Sequence, residues 1–142
     1  MIKRILVPTD GSDHARKAIG YACDLALKYG AAICLVHVVP PPPALFHEAA
    51  FGMPDLQKLQ EEDGKKIIEE ADQEVKQHGV KDVQSAMVRG NPASQIIEFA
   101  KTEGVDLIVM GNRGLTGVKE FVLGSVSHRV SHLADCTVTI VK

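Results

Sequence analysis

The 142-residue sequence predicts an α/β fold in which a five-stranded parallel sheet lies between two layers of helices. Short apolar runs alternate with segments of helical periodicity in the order βαβαβαβαβ. Right-handed crossovers between parallel strands then place helices on both faces of the sheet. Glycine-containing turns follow the first and fourth strands, where a sheet of strand order 3-2-1-4-5 reverses its winding direction. The expected architecture is therefore a three-layer α/β/α, Rossmann-like fold.

The chain begins with a strand and a helix. Residues 2–7 form a run rich in β-branched side chains, which is typical of a buried strand. Over residues 13–29, alanine, isoleucine and leucine recur at three- and four-residue steps, and this spacing indicates a helix. Ser12 or Asp13 can cap the start of this helix, and Gly30 can end it.

A second strand, a loop and a second helix follow. Residues 32–39 form a continuous apolar run that predicts a strand. The prolines at the start of segment 40–53 disfavour both helix and ladder, so a loop is expected there. Apolar positions over residues 54–78 predict a helix, and Gly64 in its interior favours a kink or break.

The rest of the chain completes the alternation. Short apolar runs predict three further strands, over residues 83–88, 105–110 and 137–141. Helical spacing predicts two further helices, over residues 91–104 and 126–133.

Two glycine-containing turns meet at one edge of this predicted sheet. One turn covers residues 9–12, after the first strand, and the other covers residues 111–114, after the fourth. Ligands of open α/β sheets bind outside the carboxyl ends of the strands, at the point where the winding direction reverses. Both turns open into that crevice, so the sequence predicts a ligand site there.

The segment from Gly111 to Ser125 has the spacing of a phosphate-binding loop. Gly114 is followed after nine residues by Gly124 and Ser125, where a helix begins. Free N–H groups and the positive end of a helix dipole attract anions, and glycine permits positive φ and the close approach of phosphate oxygens. Gly111 and Gly114 also suit a simple tight turn, and Ser125 suits a helix cap. No Gly-Lys-Ser/Thr run follows, so this is not a Walker A loop.

Several other polar residues allow both a functional and a structural interpretation. Arg113 can approach phosphate oxygens or lie in solvent. Asp10 can stabilise its turn, or can bind a ribose hydroxyl or a magnesium ion that bridges phosphates. His37 is expected to be a hydrogen-bonded core residue. His128 and His132 lie four residues apart, but no third ligand is evident, so exposed helix positions are favoured over a metal site.

The composition argues against several classes of function. A net charge of −2 gives no field that favours nucleic acid or an anionic membrane, and the few aromatic residues leave little surface for base stacking. No apolar run approaches the roughly 20 residues that span a bilayer, and the first apolar run is too short for a signal peptide. The scattered cysteines indicate buried thiols rather than a disulfide framework. We therefore expect a cytoplasmic protein that binds neither nucleic acid nor membrane.

Four short motifs carry a resemblance to a known family. Three of them lie at residues 6–12 (LVPTDGS), 35–38 (LVHV) and 88–92 (VRGNP). The fourth is a glycine, two residues, a second glycine, nine residues, and a glycine followed by serine, and it consists of Gly111, Gly114, Gly124 and Ser125. With these motifs the sequence resembles, over essentially its whole length, the nucleotide-binding branch of the universal stress protein family. One departure is Thr137, where the family often has proline.

This resemblance implies one domain over residues 1–142, with the fold of the adenine nucleotide alpha hydrolase-like group. It implies ATP and Mg²⁺ as ligands, with Asp10 near the ribose and the metal and the backbone of Val38 receiving adenine. It also implies a homodimer formed through the last strand, residues 137–141. Together with the residues considered above, the predicted site consists of Pro8, Thr9, Asp10, Val38, Met110, Gly111, Arg113, Gly114, Gly124, Ser125 and Val126.

The expected function is that of an ATP-binding stress-response protein whose bound nucleotide sets its conformation or its protein partners. Hydrolysis is expected to be slow or absent, because Asp10 is the only candidate base and a carboxylate is a weak base at neutral pH. Two alternatives stay open: a genuine ATPase or nucleotide transferase, and a nucleotide-free module that recruits partners. A receiver domain shares the topology but needs an acidic pair after the first strand and a lysine after the fifth.

Overall fold

The computed structural model describes residues 1–41, 54–112 and 124–142. Within these ranges strands and helices alternate as the sequence predicts: β1 (Arg4–Pro8), α1 (Asp13–Tyr29), β2 (Ala32–Val39), α2 (Pro54–Gln77), β3 (Val83–Arg89), α3 (Pro92–Thr102), β4 (Leu107–Gly111), α4 (Ser125–Leu133) and β5 (Thr137–Val141). None of the helices in these ranges is both long and apolar enough to cross a bilayer. The loop predicted over 40–53 lies outside the described residues from position 42 onward.

The five strands form one parallel sheet in the order β3-β2-β1-β4-β5, so the predicted order is confirmed. Successive side chains of β1 point to opposite faces, as strand geometry requires. Ile5 and Val7 belong to a core cluster with residues of α1 and α2, whereas Leu6 belongs to a second cluster with residues of α3 and α4. Helices therefore cover both faces, and β1 lies at the centre of the core.

The ends of α1 and α3 are set by capping residues. The Ser12 Oγ accepts a hydrogen bond from the Ala15 N–H at 3.2 Å, so the predicted serine cap of α1 is confirmed. Gly30 ends α1 with φ 68°, a left-handed conformation in which glycine avoids the strain that a Cβ causes. At the start of α3, the Asn91 side chain accepts a hydrogen bond from the Ser94 N–H at 3.1 Å. The polar residues before α1 and α3 thus define where these two helices start.

Helix α2 is continuous from Pro54 to Gln77, so the predicted break at Gly64 is wrong. Gly64 is buried against two strands of the sheet. A Cβ at this position would lie 2.6 Å from the Met87 Sδ and 3.0 Å from the His37 Cδ2. The glycine is therefore needed for the close approach of α2 to β2 and β3.

All three cysteines are free, as the sequence predicts. Cys23 and Cys34 are buried, one in each core cluster. Burial, together with the nearby Glu74 and Asp24 carboxylates, raises the pKa of the Cys23 thiol to about 11. These cysteines act as small apolar core residues.

The carboxylate of Asp106 joins two strands at the amino edge of the sheet. The Asp106 Oδ2 accepts hydrogen bonds from the backbone N–H groups of Lys3 and Arg4, at 2.8 and 2.9 Å. The Asp106 N–H donates to the Arg4 carbonyl at 3.0 Å. The bonds from Lys3 and then Arg4 hold the pKa of Asp106 below its ordinary value of 3.8, because they stabilise the charged form. This carboxylate links the start of β1 to the start of β4.

We expect Asp106→Ala to lower the free energy of unfolding near neutral pH by about 1 kcal/mol or less, since these exposed bonds are screened by solvent. A carboxylate whose pKa is lower in the folded than in the unfolded protein stabilises the fold above its unfolded pKa. That contribution is lost as the pH falls through the folded pKa. The difference between wild type and variant in urea unfolding should therefore shrink below about pH 4. A difference that stays constant on acidification would contradict this role.

Candidate functional site

Strand β1 stops pairing before both of its neighbours end, and this opens a crevice at the carboxyl edge of the sheet. Its pairing with β2 ends at Pro8 and Val36, followed by one bond from the Thr9 N–H to the Val36 carbonyl at 2.9 Å. Its pairing with β4 ends earlier, at Leu6 and Ile108. Both β2 and β4 run on beyond these pairs. The crevice lies where the winding direction of the sheet reverses, the usual ligand position in this class of fold.

Pro8 accounts for the separation of β1 from β4. The Arg4 carbonyl accepts a hydrogen bond from the Asp106 N–H, so the backbone of Arg4 points toward β4. Because these directions alternate along a strand, the backbones of Leu6 and Pro8 point toward β4 as well. Proline has no N–H, so the ladder with β4 cannot continue at Pro8.

The backbone of Val38 faces the crevice from the other side. The Val36 carbonyl accepts a bond from the Thr9 N–H, so the backbone of Val36 points toward β1. By the same alternation, the N–H and C=O of Val38 point in that direction too. At the level of Val38, however, β1 has already ended at Pro8. A hydrogen-bond donor and an acceptor therefore lie side by side on the wall of the crevice.

The turn after β1 is stabilised by short side chains and by one histidine. The Asp10 Oδ1 accepts a hydrogen bond from the Ser12 N–H at 2.9 Å, which is the turn-stabilising role that the sequence allowed. The Gly11 N–H donates to the Thr9 Oγ1 at 3.4 Å. The Thr9 carbonyl accepts a hydrogen bond from the His37 Nδ1 at 2.8 Å. His37 is buried, so its prediction as a hydrogen-bonded core residue is confirmed.

Helix α4 starts near the carboxyl end of β4, and among the described residues no side chain caps its first N–H groups. Its N-cap residue is Gly124, with φ −57° and ψ 151°, which has no side chain to accept a bond from the first turn. Ser125 is the first helical residue and is exposed, so the expectation that Ser125 caps this helix is wrong. Uncapped N–H groups and the positive end of the dipole make such a helix start attractive to anions.

Buried polar contacts hold the start of α4 against β4. The Ser127 Oγ donates to the Gly111 carbonyl at 2.8 Å and approaches the Asn112 carbonyl at 3.4 Å. The Gly124 N–H donates to the same Asn112 carbonyl at 2.9 Å. Sequence reasoning missed Ser127 and Asn112 as site-forming residues. A serine two positions after the glycine–serine pair was the available signal, but its partners are carbonyl groups that only the fold brings near.

Gly111 is required by packing rather than by its own φ angle. A Cβ at Gly111 would lie 2.8 Å from the Cβ, the carbonyl carbon and the carbonyl oxygen of His14, in the first turn of α1. Gly111 does not have a positive φ, so the expectation that the turn needs glycine for that reason is wrong at this position. Glycine here lets α1 lie directly on the end of β4.

The remaining predicted residues divide into two groups. Met110 and Val38 are buried in the same core cluster, and Val126 packs against its edge. Arg113 and Gly114 lie outside the described residues, as does the rest of the predicted loop up to position 123. The described part of the predicted site thus lies along the ends of β2, β1 and β4 and at the start of α4.

Asp10 fits the donor set of a nucleotide-bound magnesium ion. Mg²⁺ is usually held by one or two carboxylates together with substrate phosphates and water. Asp10 supplies a carboxylate at the turn that borders the crevice. In residues 1–41, 54–112 and 124–142, no group of three or more His, Cys, Asp or Glu side chains is placed to hold a metal ion. His128 and His132 are exposed on α4, as the sequence predicts, and their rings are stacked.

The parallel sheet of order β3-β2-β1-β4-β5, covered by helices on both faces, makes this a doubly wound, three-layer α/β/α protein. The family model described as "Universal stress protein family" matches residues 1–142. The chain therefore belongs to the universal stress protein family.

Related sequences and structures agree with this membership. Universal stress protein YxiE of Bacillus subtilis is 35% identical over 149 residues, which cover 100% of both chains. The solved structure of hypothetical protein MJ0577, from Methanocaldococcus jannaschii, is 32% identical, with a TM-score of 0.86 over 100% of this chain and 96% of that one. A universal stress protein solved in complex with cAMP is 27% identical, with a TM-score of 0.76 over 99% of this chain and 97% of that one.

We expect Gly111→Ala to lower the free energy of unfolding by about 1–3 kcal/mol, because the added methyl group forces α1 away from β4. Urea unfolding measures this change. Gly20→Ala in α1 is the matched control, since the nearest atom to its added Cβ lies 4.0 Å away. That control should leave stability unchanged or raise it, because alanine favours a helix. Equal effects of the two substitutions would contradict the packing role of Gly111.

Proposed function

We propose that this protein binds ATP in the crevice at the carboxyl edge of its sheet and acts as a nucleotide-dependent switch in a stress response. The observation that carries the proposal is the uncapped start of α4, held at the end of β4 across the crevice from the backbone of Val38. One side of the crevice offers N–H groups to phosphates, and the other offers a donor and an acceptor to a base. The cAMP complex of a relative supports an adenine nucleotide as the ligand.

The backbone of Val38 is the proposed contact for adenine. The Watson–Crick edge of adenine presents an acceptor, N1, beside a donor, the N6 amino group. The N–H and C=O of one residue form the complementary pair. Val38 is buried, so bonds formed there are shielded from water and each of them contributes more to binding.

The first turn of α4 is the proposed contact for the phosphates. Its N-cap glycine supplies no competing side-chain acceptor, so the N–H groups of Ser125 and Val126 can donate hydrogen bonds to phosphate oxygens. The exposed Ser125 hydroxyl can add one further bond. We extend the same proposal to Gly114 and Arg113, which precede α4 in the sequence.

Asp10 is the proposed metal contact. It would hold Mg²⁺ together with phosphate oxygens and water, and the ion would supply charge neutralisation of the phosphates. Hydrolysis by this arrangement is slow, because a carboxylate is a weak base at neutral pH and Asp10 already accepts a bond from the Ser12 N–H. A bound nucleotide that persists suits a switch better than a catalyst.

The test is the titration of wild type and Gly124→Asp with ATP and Mg²⁺ by calorimetry. The aspartate side chain would accept hydrogen bonds from the N–H groups of the first turn, and it would place a negative charge where we expect phosphate. We expect the affinity for ATP to fall roughly tenfold to a hundredfold, the effect of losing one charge-assisted hydrogen bond. Thermal stability should not fall, because aspartate is a favoured N-cap and the backbone angles there suit any residue.

Two controls isolate the phosphate contact. Gly124→Asn has the shape of the aspartate without its charge, so its loss of affinity should be smaller. Adenosine, which lacks phosphate, should bind wild type and Gly124→Asp equally. Wild type that binds no adenine nucleotide would reject the proposal, and unchanged ATP affinity in Gly124→Asp would reject the phosphate site.

We also propose a homodimer formed through β5 (Thr137–Val141), an edge strand that pairs with β4 on one side. The Asn112 N–H donates to the Val141 carbonyl, so alternate backbone groups of β5, those of Val138 and Ile140, point away from β4. An edge of this kind either pairs with another strand or needs protection. Pairing of two β5 strands about a two-fold axis gives a closed, isologous interface.

Sedimentation of wild type and Val138→Pro tests the dimer. Proline removes an N–H that points away from β4 and leaves the ladder with β4 intact. We expect a wild-type dimer at micromolar concentration and a folded, monomeric Val138→Pro. Thr139→Pro is the matched control: it removes an N–H that points toward β4, so it should destabilise the fold itself. A monomeric wild type would contradict the proposal.

A further inference from the structure

The His37 ring makes a buried hydrogen bond to the turn that borders the crevice. Its Nδ1 lies 2.8 Å from the Thr9 carbonyl oxygen. A carbonyl oxygen only accepts, so the Nδ1 carries the hydrogen and donates. In the neutral ring the other nitrogen, Nε2, then has no hydrogen. The geometry therefore fixes which nitrogen of His37 is protonated.

This bond replaces the next step of the ladder between β1 and β2. The Thr9 N–H donates to the Val36 carbonyl, as in a regular parallel ladder. If the ladder continued, the Thr9 carbonyl would accept from the Val38 N–H, and the Gly11 N–H would donate to the Val38 carbonyl. Instead, the Thr9 carbonyl accepts from His37, and the Gly11 N–H donates to the Thr9 side chain. In the part of the chain that the structure describes, no backbone hydrogen bond joins Val38 to Thr9 or Gly11.

We infer that His37 is a positioning residue for the nucleotide site. By holding the Thr9 carbonyl, it turns the chain away from β2 and keeps the N–H and C=O of Val38 facing the crevice. This inference rests on the proposed function, since those two groups are the proposed adenine contact. His37 itself acts through the turn and touches no ligand.

Helix α2 holds the His37 ring in its orientation. A Cβ at Gly64 would lie 3.0 Å from the His37 Cδ2 and 3.4 Å from its Nε2, so the helix backbone runs directly against the ring edge. The ring is thus held between α2 on one side and the Thr9 carbonyl on the other. Because α2 continues unbroken through Gly64, its backbone can hold the ring in this way.

The first test needs no ligand. Nitrogen-15 NMR of the imidazole in the wild-type protein should show that the His37 Nδ1 carries a hydrogen. Amide exchange should be faster at Val38 than at Val36, whose backbone is paired with β1. In His37→Leu the Thr9 carbonyl is released, so exchange at Val38 should slow. A ring with no hydrogen on Nδ1, or a Val38 amide as protected as that of Val36 in wild type, would overturn the inference.

The second test compares affinities for ATP with Mg²⁺ by calorimetry. His37→Leu should bind ATP about tenfold more weakly, the effect of losing one hydrogen bond. His37→Asn should retain wild-type affinity, because the asparagine amide can donate from nearly the position of Nδ1. A purely packing role would not be rescued by asparagine. Equal losses in the two variants, or wild-type affinity in His37→Leu, would contradict the positioning role.

His78 provides the matched control. Its Nδ1 lies 2.8 Å from the Glu74 carbonyl, the same kind of bond at an exposed helix end. His78→Leu should therefore leave ATP affinity unchanged. If wild type binds no ATP, the proposed function fails, and the ring tautomer and Val38 exchange still decide the role of His37. If His37→Leu does not fold, His37→Asn and the wild-type NMR measurements decide it.

Discussion

The point at which β1 stops is the constraint on which the rest of the candidate site depends. A strand at the centre of a parallel sheet has a partner on each side, and a crevice opens only when it leaves both. In this protein the pairing of β1 ends for a different reason on each side. Pro8 lacks the N–H that the ladder with β4 needs, and His37 binds the Thr9 carbonyl that the ladder with β2 would use. The strand itself stays fixed by burial, since Ile5, Leu6 and Val7 have no exposed surface.

The proposed ligand contacts are mainly backbone groups, and side chains of the fold determine where those groups lie. Ser127 holds the start of α4 by binding the carbonyl of Gly111, and the absence of a side chain at Gly124 leaves that helix start uncapped. Gly111 lets α1 approach the end of β4, and Gly64 lets α2 approach the His37 ring. Gly111 and Gly64 thus each permit a close contact on one side of the crevice. The position of the proposed binding surface is therefore determined by where the strands and helices end and by how they pack together.

Periodicity and capping patterns were enough to predict every described helix and strand, because those features reflect local physics. The predicted sheet order is also confirmed, although no local pattern determines it. The apolar runs of β1 and β4 began earlier than the strands themselves, since strand ends depend on ladder pairing that apolarity does not report. Gly64 was misjudged for a related reason. A glycine inside a helix weakens it locally, but packing of α2 on the sheet outweighs that cost.

The site was only partly predictable. The glycine spacing located the start of α4 and the crevice, but the positive φ expected for Gly111 was wrong, and the packing requirement there comes from His14, a residue distant in sequence. A hydrogen bond of His37 was predicted but its partner was not, and the contacts of Ser127 were not predicted at all, because every residue has a carbonyl and no pattern marks the one that is bound. Such contacts emerge only once the topology has brought the elements together.

A crystal structure of the protein with ATP and Mg²⁺ tests the central claim most directly. The account predicts adenine against the N–H and C=O of Val38, with phosphate oxygens at the N–H groups of Ser125 and Val126. A nucleotide bound elsewhere, or a crevice in which those backbone groups are paired within the protein, would contradict it.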